Sequence, residues 1–283
     1  MKTKLFIAFL GVALVATSCG KKGGSNGPNS SGEIELKLNL TKGKIYEMKM
    51  VLVSQTEMNM MGQTINSNTN MEMGMGYEVK DILANGNFLV RTTYKTIKMS
   101  GDAMGMKYEY NSETDSASGI QAKKMGEGMK KMIGQYTEIE MDKTGKNIKT
   151  TMSPGLTSGD KKGGDGMTNL NYTVFPDKKL KVGDTWESDI DQKMGNTEVI
   201  IKTKFKLVSV KDGVAEISMD GTLGLKPGSE GEITGTQKGT VNVEIATGMN
   251  KNVTIDQDIQ MEMNDMGMKM PMKMKNKITI TTK

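Results

Sequence analysis

The sequence contains no histidine and a single cysteine, Cys19, among 283 residues. Without imidazole the chain cannot build Ser-His-Asp or Cys-His catalysis, and the usual zinc and non-heme iron sites need histidine or several cysteines. The glycines form no phosphate-binding loop of the P-loop type, because no lysine-serine or lysine-threonine pair closes one. These absences leave only carboxylate or lysine chemistry, so we expect no enzyme, no catalytic residue and no cofactor.

Two carboxylates, Asp189 and Asp191, follow the only tryptophan, Trp186. Acidic residues at alternate positions of a strand are typical of a solvated face, and we interpret these two in that way. The formal net charge is +5, and it falls to +3 if Lys2 and Lys4 leave with a cleaved leader. So small a balance gives no reason to expect a nucleic-acid partner.

Large aliphatic residues and phenylalanine are scarce, whereas methionine occurs 28 times. Leu, Ile, Val and Phe alone would leave a domain of this size without an adequate core. Adding the methionines brings the apolar content to that of an ordinary folded domain. Methionine is therefore predicted to form much of the core.

The N-terminal segment, residues 1–32, has the pattern of an export signal followed by a tether. Met1–Lys4 is charged, residues 5–16 are apolar but too short to span a bilayer, and small residues precede Cys19. The segment "LVATSCG" resembles the lipobox of bacterial lipoproteins, which implies cleavage after residue 18 and acylation of Cys19. Residues 19–32, rich in Gly, Ser and Asn, are typical of a flexible spacer. An exported protein with an unpaired thiol is the alternative.

By resemblance to lipoprotein sorting signals, the absence of Asp or an acidic run directly after Cys19 implies the outer membrane, with the protein facing the periplasm. The predicted partners are thus the membrane, through the N-terminal lipid, and either a hydrophobic ligand or another envelope protein.

From residue 33 onward, apolar and polar residues alternate with a period of two, as in "EIELKLNL" and "MEMGMGYEV". This pattern predicts strands with one buried and one solvated face. Short turn signals, "ANGN" at 84–87 and "KDGV" at 211–214, predict antiparallel hairpins. Met125, Met129, Met132 and Ile133 have helical spacing and predict one short helix. Residues 153–168 are predicted to form a mobile loop.

Three landmarks recur in the same order along the chain. "LTKGKIYE" at 40–47 corresponds to "LKVGDTWE" at 180–187, and each precedes a hairpin and then a threonine-glycine turn. The spacing fits two diverged halves, approximately residues 33–152 and 169–283. We predict a mainly β fold, a single body over 33–283 with one large antiparallel curled sheet, either an open barrel or a sandwich.

The motifs "LNLTKGKIYEMKM", "YEVKDILANGNFLV", "FPDKKLKVGDTWESD" and "EIATGMNKNVTID" resemble an uncharacterised family of strand-rich bacterial envelope lipoproteins, a domain of unknown function. The resemblance implies the fold and the location, and it brings no active site with it.

The methionines suggest two functions. A strand face lined with adaptable thioethers suits apolar ligands of varied shape, which predicts a non-catalytic binding module for a lipid, an acyl chain or an apolar protein segment. The candidate ligand-binding residues are Met71, Met73, Met75, Met266, Met268 and Met270. Thioethers also suit Cu(I) or Ag(I), with Met266, Met268 and Met270 as the candidate ligands of this alternative. A structural or assembly lipoprotein is a third hypothesis.

The stretch "MEMNDMGMKMPMKMKNK" at 261–277 alternates methionine with lysine and proline. Proline cannot donate to a β-ladder, and lysine discourages further pairing. The sequence therefore predicts an edge strand here.

Overall fold

A computed structural model describes residues 32–60, 62–157, 173–194, 197–229, 232–265 and 268–283. The predicted leader, Cys19 and almost all of the predicted tether lie outside these residues, as does most of the predicted 153–168 loop. In the described part of the chain, thirteen strands form one antiparallel sheet, which confirms the predicted fold class, and the sheet is not closed into a barrel. No helix in these residues is long and apolar enough to cross a membrane.

The elements follow the chain in the order β1 (Ile45–Met60), β2 (Gln63–Ile82), β3 (Phe88–Ala103), β4 (Met106–Asn111), β5 (Ser116–Ser118), α1 (Ile120–Met132), β6 (Tyr136–Met141), β7 (Asn147–Met152), α2 (Pro154–Thr157), β8 (Thr185–Met194), β9 (Thr197–Lys211), β10 (Val214–Leu225), β11 (Glu232–Glu244), β12 (Asn250–Asp265) and β13 (Met268–Thr282). The helix predicted from methionine spacing is α1. The short α2 opens the segment predicted as a loop.

Most strands pair with their neighbours in sequence, and one long-range pairing joins the two parts of the sheet. The strand order is β5-β4-β3-β2-β1-β13-β12-β11-β10-β9-β8, with β6 paired to β3 and β7 to β6. The turns predicted at 84–87 and 211–214 connect β2 to β3 and β9 to β10. The last strand, β13, thus pairs with the first, β1, from Thr282 opposite Met48 to Met272 opposite Met58.

The edge-strand prediction for residues 261–277 is wrong, because β13 lies between β1 and β12. The proline is tolerated for a local reason. The ladder with β1 ends at Met272, so Pro271 lies just beyond it and still faces Glu262 of β12. Lys273 and Lys275 of this stretch project from the solvated face, where they approach Glu57 and Asp258.

The same turn introduces β1 and β8. Gly43 and Gly183 both have positive φ, 79° and 101°, a conformation that glycine adopts without steric cost. Their amides donate to the carbonyls of Val79 and Leu207, both at 2.8 Å. Each turn then leads to an aromatic pair across the first hairpin, Tyr46 with Tyr77 and Trp186 with Phe205. The recurrence noted in the sequence therefore has a structural counterpart at these two positions.

Two extended segments cross one end of the sheet, which we call the plugged end. The amide of Leu38 donates to the carbonyl of Lys143, and that of Phe175 donates to the carbonyl of Thr144. Ile34 pairs with Leu180 as an isolated bridge. These segments contribute Leu36, Leu38, Leu40, Phe175 and Leu180 to the main core, which also draws on both parts of the sheet.

Methionine forms much of the interior, as the composition predicts. In the described residues eleven methionines are buried: Met48, Met50, Met71, Met73, Met75, Met99, Met129, Met141, Met219, Met249 and Met270. Ten of them belong to the main core near the plugged end. An unbranched side chain with three rotatable bonds fills the gaps of such a curved interior.

Candidate hydrophobic-ligand site

A row of polar residues and glycines crosses the inner face of the sheet, and we call it the polar belt. Each member is paired in register with the next, and ten consecutive strands of the sheet contribute one residue each. In the spatial order of the strands, β4-β3-β2-β1-β13-β12-β11-β10-β9-β8, the members are Tyr108, Gly101, Thr69, Ser54, Asn276, Gln257, Gln237, Gly221, Thr203 and Ser188.

Side-chain hydrogen bonds run along the middle of the polar belt. The Ser54 hydroxyl donates to Asn276 Oδ1 at 2.7 Å, and Asn276 Nδ2 donates to Gln257 Oε1 at 3.4 Å. Gln257 Nε2 donates to Gln237 Oε1 at 3.3 Å, and Gln237 Nε2 donates to Thr203 Oγ1 at 2.9 Å. The hydroxyls of Thr69 and Tyr108 lie 2.7 Å apart. Every donor in the middle of the belt points in the same direction across the sheet.

The two glycines make room for the larger members of the polar belt. A Cβ atom on Gly221 would lie 2.9 Å from Thr203 Oγ1 and 3.2 Å from Gln237 Cγ. A Cβ atom on Gly101 would lie 2.5 Å from the Tyr108 hydroxyl oxygen. Glycine at these positions therefore lets a neighbouring strand's polar side chain lie over the backbone.

The polar belt divides the apolar surface of the inner face into two regions. The main core lies on the side of the plugged end, with Leu52 and Ile278 as the nearest apolar positions on β1 and β13. On the other side, a second apolar cluster consists of buried Val199, Ile201, Leu223, Ile233 and Ile259, with Ile190, Leu225, Met261 and Met274 packed against it. Thr203 and Gln237 lie between the two clusters on the buried side of the sheet, at 2% and 3% exposure.

A second row, of apolar residues, crosses five strands on the side of the polar belt away from the plugged end. On β13 it lies at Met272, four residues from Asn276 of the belt, and we call it the methionine row. Its members are register partners in sequence: Ile65, Met58, Met272, Met261 and Ile233. Directly opposed side chains on neighbouring strands have Cβ atoms about 4.5–5.5 Å apart, so Met272 lies next to Met58 on one side and next to Met261 on the other. Ile233 is buried, whereas the other four members are only partly buried.

No charged residue occurs among the paired positions of the polar belt, of the methionine row, or of the row between them. The intermediate row consists of Ser67, Thr56, Met274, Ile259, Gly235, Leu223, Ile201 and Ile190. The charges of these strands are on the opposite face, where pairs such as Lys49 with Glu72, at 2.8 Å, lie in solvent. The inner face beyond the polar belt is thus apolar, neutral and rich in methionine.

The residues singled out in the sequence fall in different places. Met71, Met73 and Met75 lie in the main core, at 9%, 1% and 1% exposure. Met270 is buried beyond the polar belt. Met268 begins β13, but its side chain and all of Met266 lie outside the described part of the chain. The ligand-binding role of these six residues stays a prediction.

Sequence reasoning missed Met261 and did not recognise Met58, Met272 and Met274 as ligand-binding candidates. The alternation identifies which residues share a face, but only the register shows that Met58 and Met261 flank Met272. The polar belt was missed for the same reason, although Gln257 and Asn276 interrupt otherwise apolar faces of β12 and β13.

The two carboxylates considered in the sequence remain apart from this site. Lys226 Nζ lies 2.7 Å from an oxygen of Asp191, and that hydrogen bond raises the pKa of the lysine. In the described residues no cluster of three or more His, Cys, Asp or Glu is arranged to hold a metal ion.

Comparison with known proteins supports the fold more than any function. A profile of a family of unknown function (DUF6263) matches residues 165–257, which span β8 to β11 and part of β12. This match agrees with the resemblance to an uncharacterised family. A comparison with curated protein sequences finds no match.

Two solved structures align with most of this chain. A structure described as "Lipid-protein interactions in lipovitellin" aligns with 87% of this chain at 10% identity and a TM-score of 0.55. The chain spans a quarter of the length of that lipovitellin chain. The COG4313 outer membrane channel from Pseudomonas putida F1 aligns with 87% of this chain and 97% of its own, at 7% identity and a TM-score of 0.22. The lipovitellin structure thus resembles this one in fold, and the channel falls below the level of a shared fold.

Proposed function

We propose that this protein is a membrane-anchored bacterial lipoprotein that binds a hydrophobic ligand, a lipid or an acyl chain, in the cell envelope without catalysing a reaction. The observation that carries the proposal is the methionine row, a neutral apolar surface that the main core does not absorb. Its thioethers are only partly buried, although the same type of side chain is almost fully buried near the plugged end.

The chemistry of the methionine row suits an acyl chain. An extended hydrocarbon makes no directional demands, and methionine adapts its three torsions to whatever shape lies against it. On the side of β9, the methionine row adjoins the second apolar cluster, whose five central members are buried and uncharged. Each buried methylene of a ligand contributes about 0.8 kcal/mol, so a chain of eight to ten carbons would bind usefully on apolar contact alone.

The fold and the leader are compatible with this role. The lipovitellin structure is described as one of lipid–protein interactions, and its fold is similar over most of this chain. In the proposed arrangement, acylated Cys19 anchors the chain in the outer membrane, and residues 20–32 act as the spacer that holds the sheet in the periplasm. The anchor keeps the binding surface close to a supply of lipid.

Native mass spectrometry of the full chain tests the proposal. The protein is expressed with its leader and transferred from detergent to amphipol, so that no free detergent competes for the surface. We expect one or more lipid masses to remain bound to the wild-type protein beyond the covalent anchor. Met272→Glu places a carboxylate in the methionine row and is expected to remove them, because an unpaired charge is costly on an apolar surface.

Met125→Glu is the matched control, since Met125 is 40% exposed on α1 and belongs to neither apolar cluster. It is expected to retain the lipid masses. Retention by Met272→Glu, or absence of any lipid from the wild-type protein, would contradict a binding surface at the methionine row.

A soft metal is a second candidate ligand, because the register brings Met58, Met272 and Met261 side by side. Three thioethers on neighbouring strands can provide a Cu(I) or Ag(I) site without histidine or cysteine. These three methionines are not the metal ligands predicted from the sequence, which were Met266, Met268 and Met270. Anaerobic Cu(I) titration of the wild-type protein and of Met272→Leu tests the metal as a ligand of the methionine row. Tight binding that the variant loses favours the metal, whereas no binding by either protein removes this candidate.

A further inference from the structure

The polar belt is an unusual feature for an apolar ligand-binding face. Side-chain amides among apolar groups must be hydrogen-bonded to be tolerated, and three of them here, one buried and two partly buried, lie on neighbouring strands. An aliphatic row in their place would continue the apolar surface from the main core to the methionine row. The belt therefore sets a chemical boundary at a fixed depth on the inner face.

Two side-chain amides of the polar belt, those of Asn276 and Gln257, have an N–H group that the hydrogen bonds along the belt do not use. A carboxamide has two N–H groups, and Asn276 and Gln257 each use one of them in the hydrogen bonds along the belt. Their oxygens already accept a hydrogen bond from the preceding member. Asn276, Gln257 and Ser54 are only partly buried, unlike Gln237. A group lying against them would thus meet N–H donors.

Among the described residues, the strand positions of the belt and of the two rows beyond it offer no partner for a charged ligand group. No lysine or arginine occurs at the paired positions of the belt or of the two rows beyond it, and Lys273, Lys275 and Lys277 of β13 are exposed on the solvated face. A carboxylate or phosphate placed there would lose its hydration without gaining a countercharge. An ester carbonyl accepts hydrogen bonds, carries no charge and follows directly from an acyl chain.

We propose that the polar belt binds the ester carbonyl of a neutral acyl ester, with Asn276 and Gln257 as the donors and the acyl chain lying along the methionine row. This inference rests on the proposed lipid-binding function and specifies the ligand class. The belt selects neutral acyl esters over fatty acids and over plain hydrocarbons, and it determines how far along the inner face the chain extends.

The test uses chain-matched probes and the full chain in amphipol, with protein-free amphipol as the background. The probes are methyl palmitate carrying ¹³C at the carbonyl, palmitate at pH 8, and hexadecane. We expect the bound ester to show a carbonyl infrared band at lower frequency than the free ester, because hydrogen bonding weakens the C=O bond. Palmitate is expected to bind about tenfold more weakly than the ester, as burying an unpaired charge requires.

Gln257→Met removes the amide and keeps the length of the side chain. It is expected to return the carbonyl band to the free-ester frequency and to weaken ester binding about fivefold, the effect of one hydrogen bond. Hexadecane binding is expected to stay unchanged. Gln260→Met on the same strand is the matched control, since Gln260 is exposed on the opposite face and should alter neither probe. Asn276→Leu provides a second variant if Gln257→Met does not fold.

The outcomes separate the two proposals. A shifted carbonyl band that Gln257→Met abolishes supports the ester site. Binding of all three probes with an unshifted band, or a shifted band that both belt variants retain, overturns the ester site while the lipid-binding function stands. No binding of the ester or the hydrocarbon above the background overturns both.

Discussion

Single residues explain how polar side chains are accommodated on the inner face. Gly221 and Gly224 lie on the same strand, but only Gly221 is covered by its neighbours, because the side chains of Thr203 and Gln237 lie over it. The difference between the two glycines is one of space and not of backbone conformation, since neither has a positive φ.

Gly221→Ala is therefore expected to lower the free energy of unfolding by about 1–3 kcal/mol, as overpacking in a tight interior does. Its Cβ atom would lie 2.8 Å from the carbonyl oxygen of Lys202, which belongs to the backbone and cannot move aside. Gly224→Ala meets no atom within 4 Å and is the control, with no loss expected. Urea unfolding curves of the three proteins measure the difference, and equal losses would contradict the packing described for the polar belt.

Tyrosines near the plugged end are expected to make the free energy of unfolding decrease with pH in the alkaline range. Burial, with a smaller contribution from Tyr46, raises the pKa of Tyr77 above its usual value, and burial likewise raises the pKa of Tyr94. As pH rises, the unfolded chain therefore loses these tyrosine protons at a lower pH than the folded chain does. Stability from these groups is fully present below about pH 10, the ordinary tyrosine pKa, and is lost as pH rises above it.

Tyr77→Phe keeps the ring and removes the ionisable group. We expect its urea midpoint to fall less steeply than that of the wild-type protein between pH 9 and pH 11, with little difference in slope between pH 7 and pH 9. Unfolding curves at several pH values measure both slopes. Parallel curves across the whole range would show that Tyr77 does not carry the effect.

Among the elements, β13 holds the two parts of the sheet together. It pairs with β1 on one side and β12 on the other, so both edges of this strand donate and accept in ladders. The sequence favoured an edge position because its lysines and proline are residues that edge strands use. Which strands flank a segment depends on the rest of the chain, and the residues of the segment itself do not contain that information.

Lys277→Pro tests the position of β13. Lys277 faces Val53 on β1 and Asp256 on β12, so a proline there removes a ladder hydrogen bond whichever way the amide points. We expect a loss of about 3 kcal/mol or more, and Lys277→Ala, which keeps the amide, should lose far less. Thermal unfolding followed by circular dichroism gives the comparison. Similar stability of the two variants would indicate an edge strand after all.

The elements also show where sequence patterns are reliable. Strands such as "MEMGMGYEV" and the helix with Met125, Met129 and Met132 were predicted correctly, because local periodicity determines which face is apolar. The candidate site was not, because Met73 and Met272 have the same alternating context and different surroundings. Met73 belongs to the main core, to which segments 33–40 and 173–180 also contribute, and the placement of these segments depends on contacts distant in sequence.

In the whole molecule, the polar belt separates two regions of the inner face, the plugged end and the region that carries the methionine row. The plugged end provides a closed core, and the region beyond the polar belt provides the proposed binding surface. The spacer and the acylated Cys19 stay predictions, as does the division into diverged halves. They concern how the sheet is held at a membrane and how the chain arose, and not which methionines meet a ligand.

Methyl NMR of the full chain with ¹³C at the methionine Cε atoms shows most directly which methionines meet a ligand. Single Met→Leu variants provide the assignments, and methyl palmitate is the titrant. We predict that the signals of Met58, Met261, Met272 and Met274 shift as ligand is added, while those of Met73 and Met75 stay in place. Shifts at Met73 and Met75 without shifts along the methionine row, or no shift at any methionine, would contradict a binding surface beyond the polar belt.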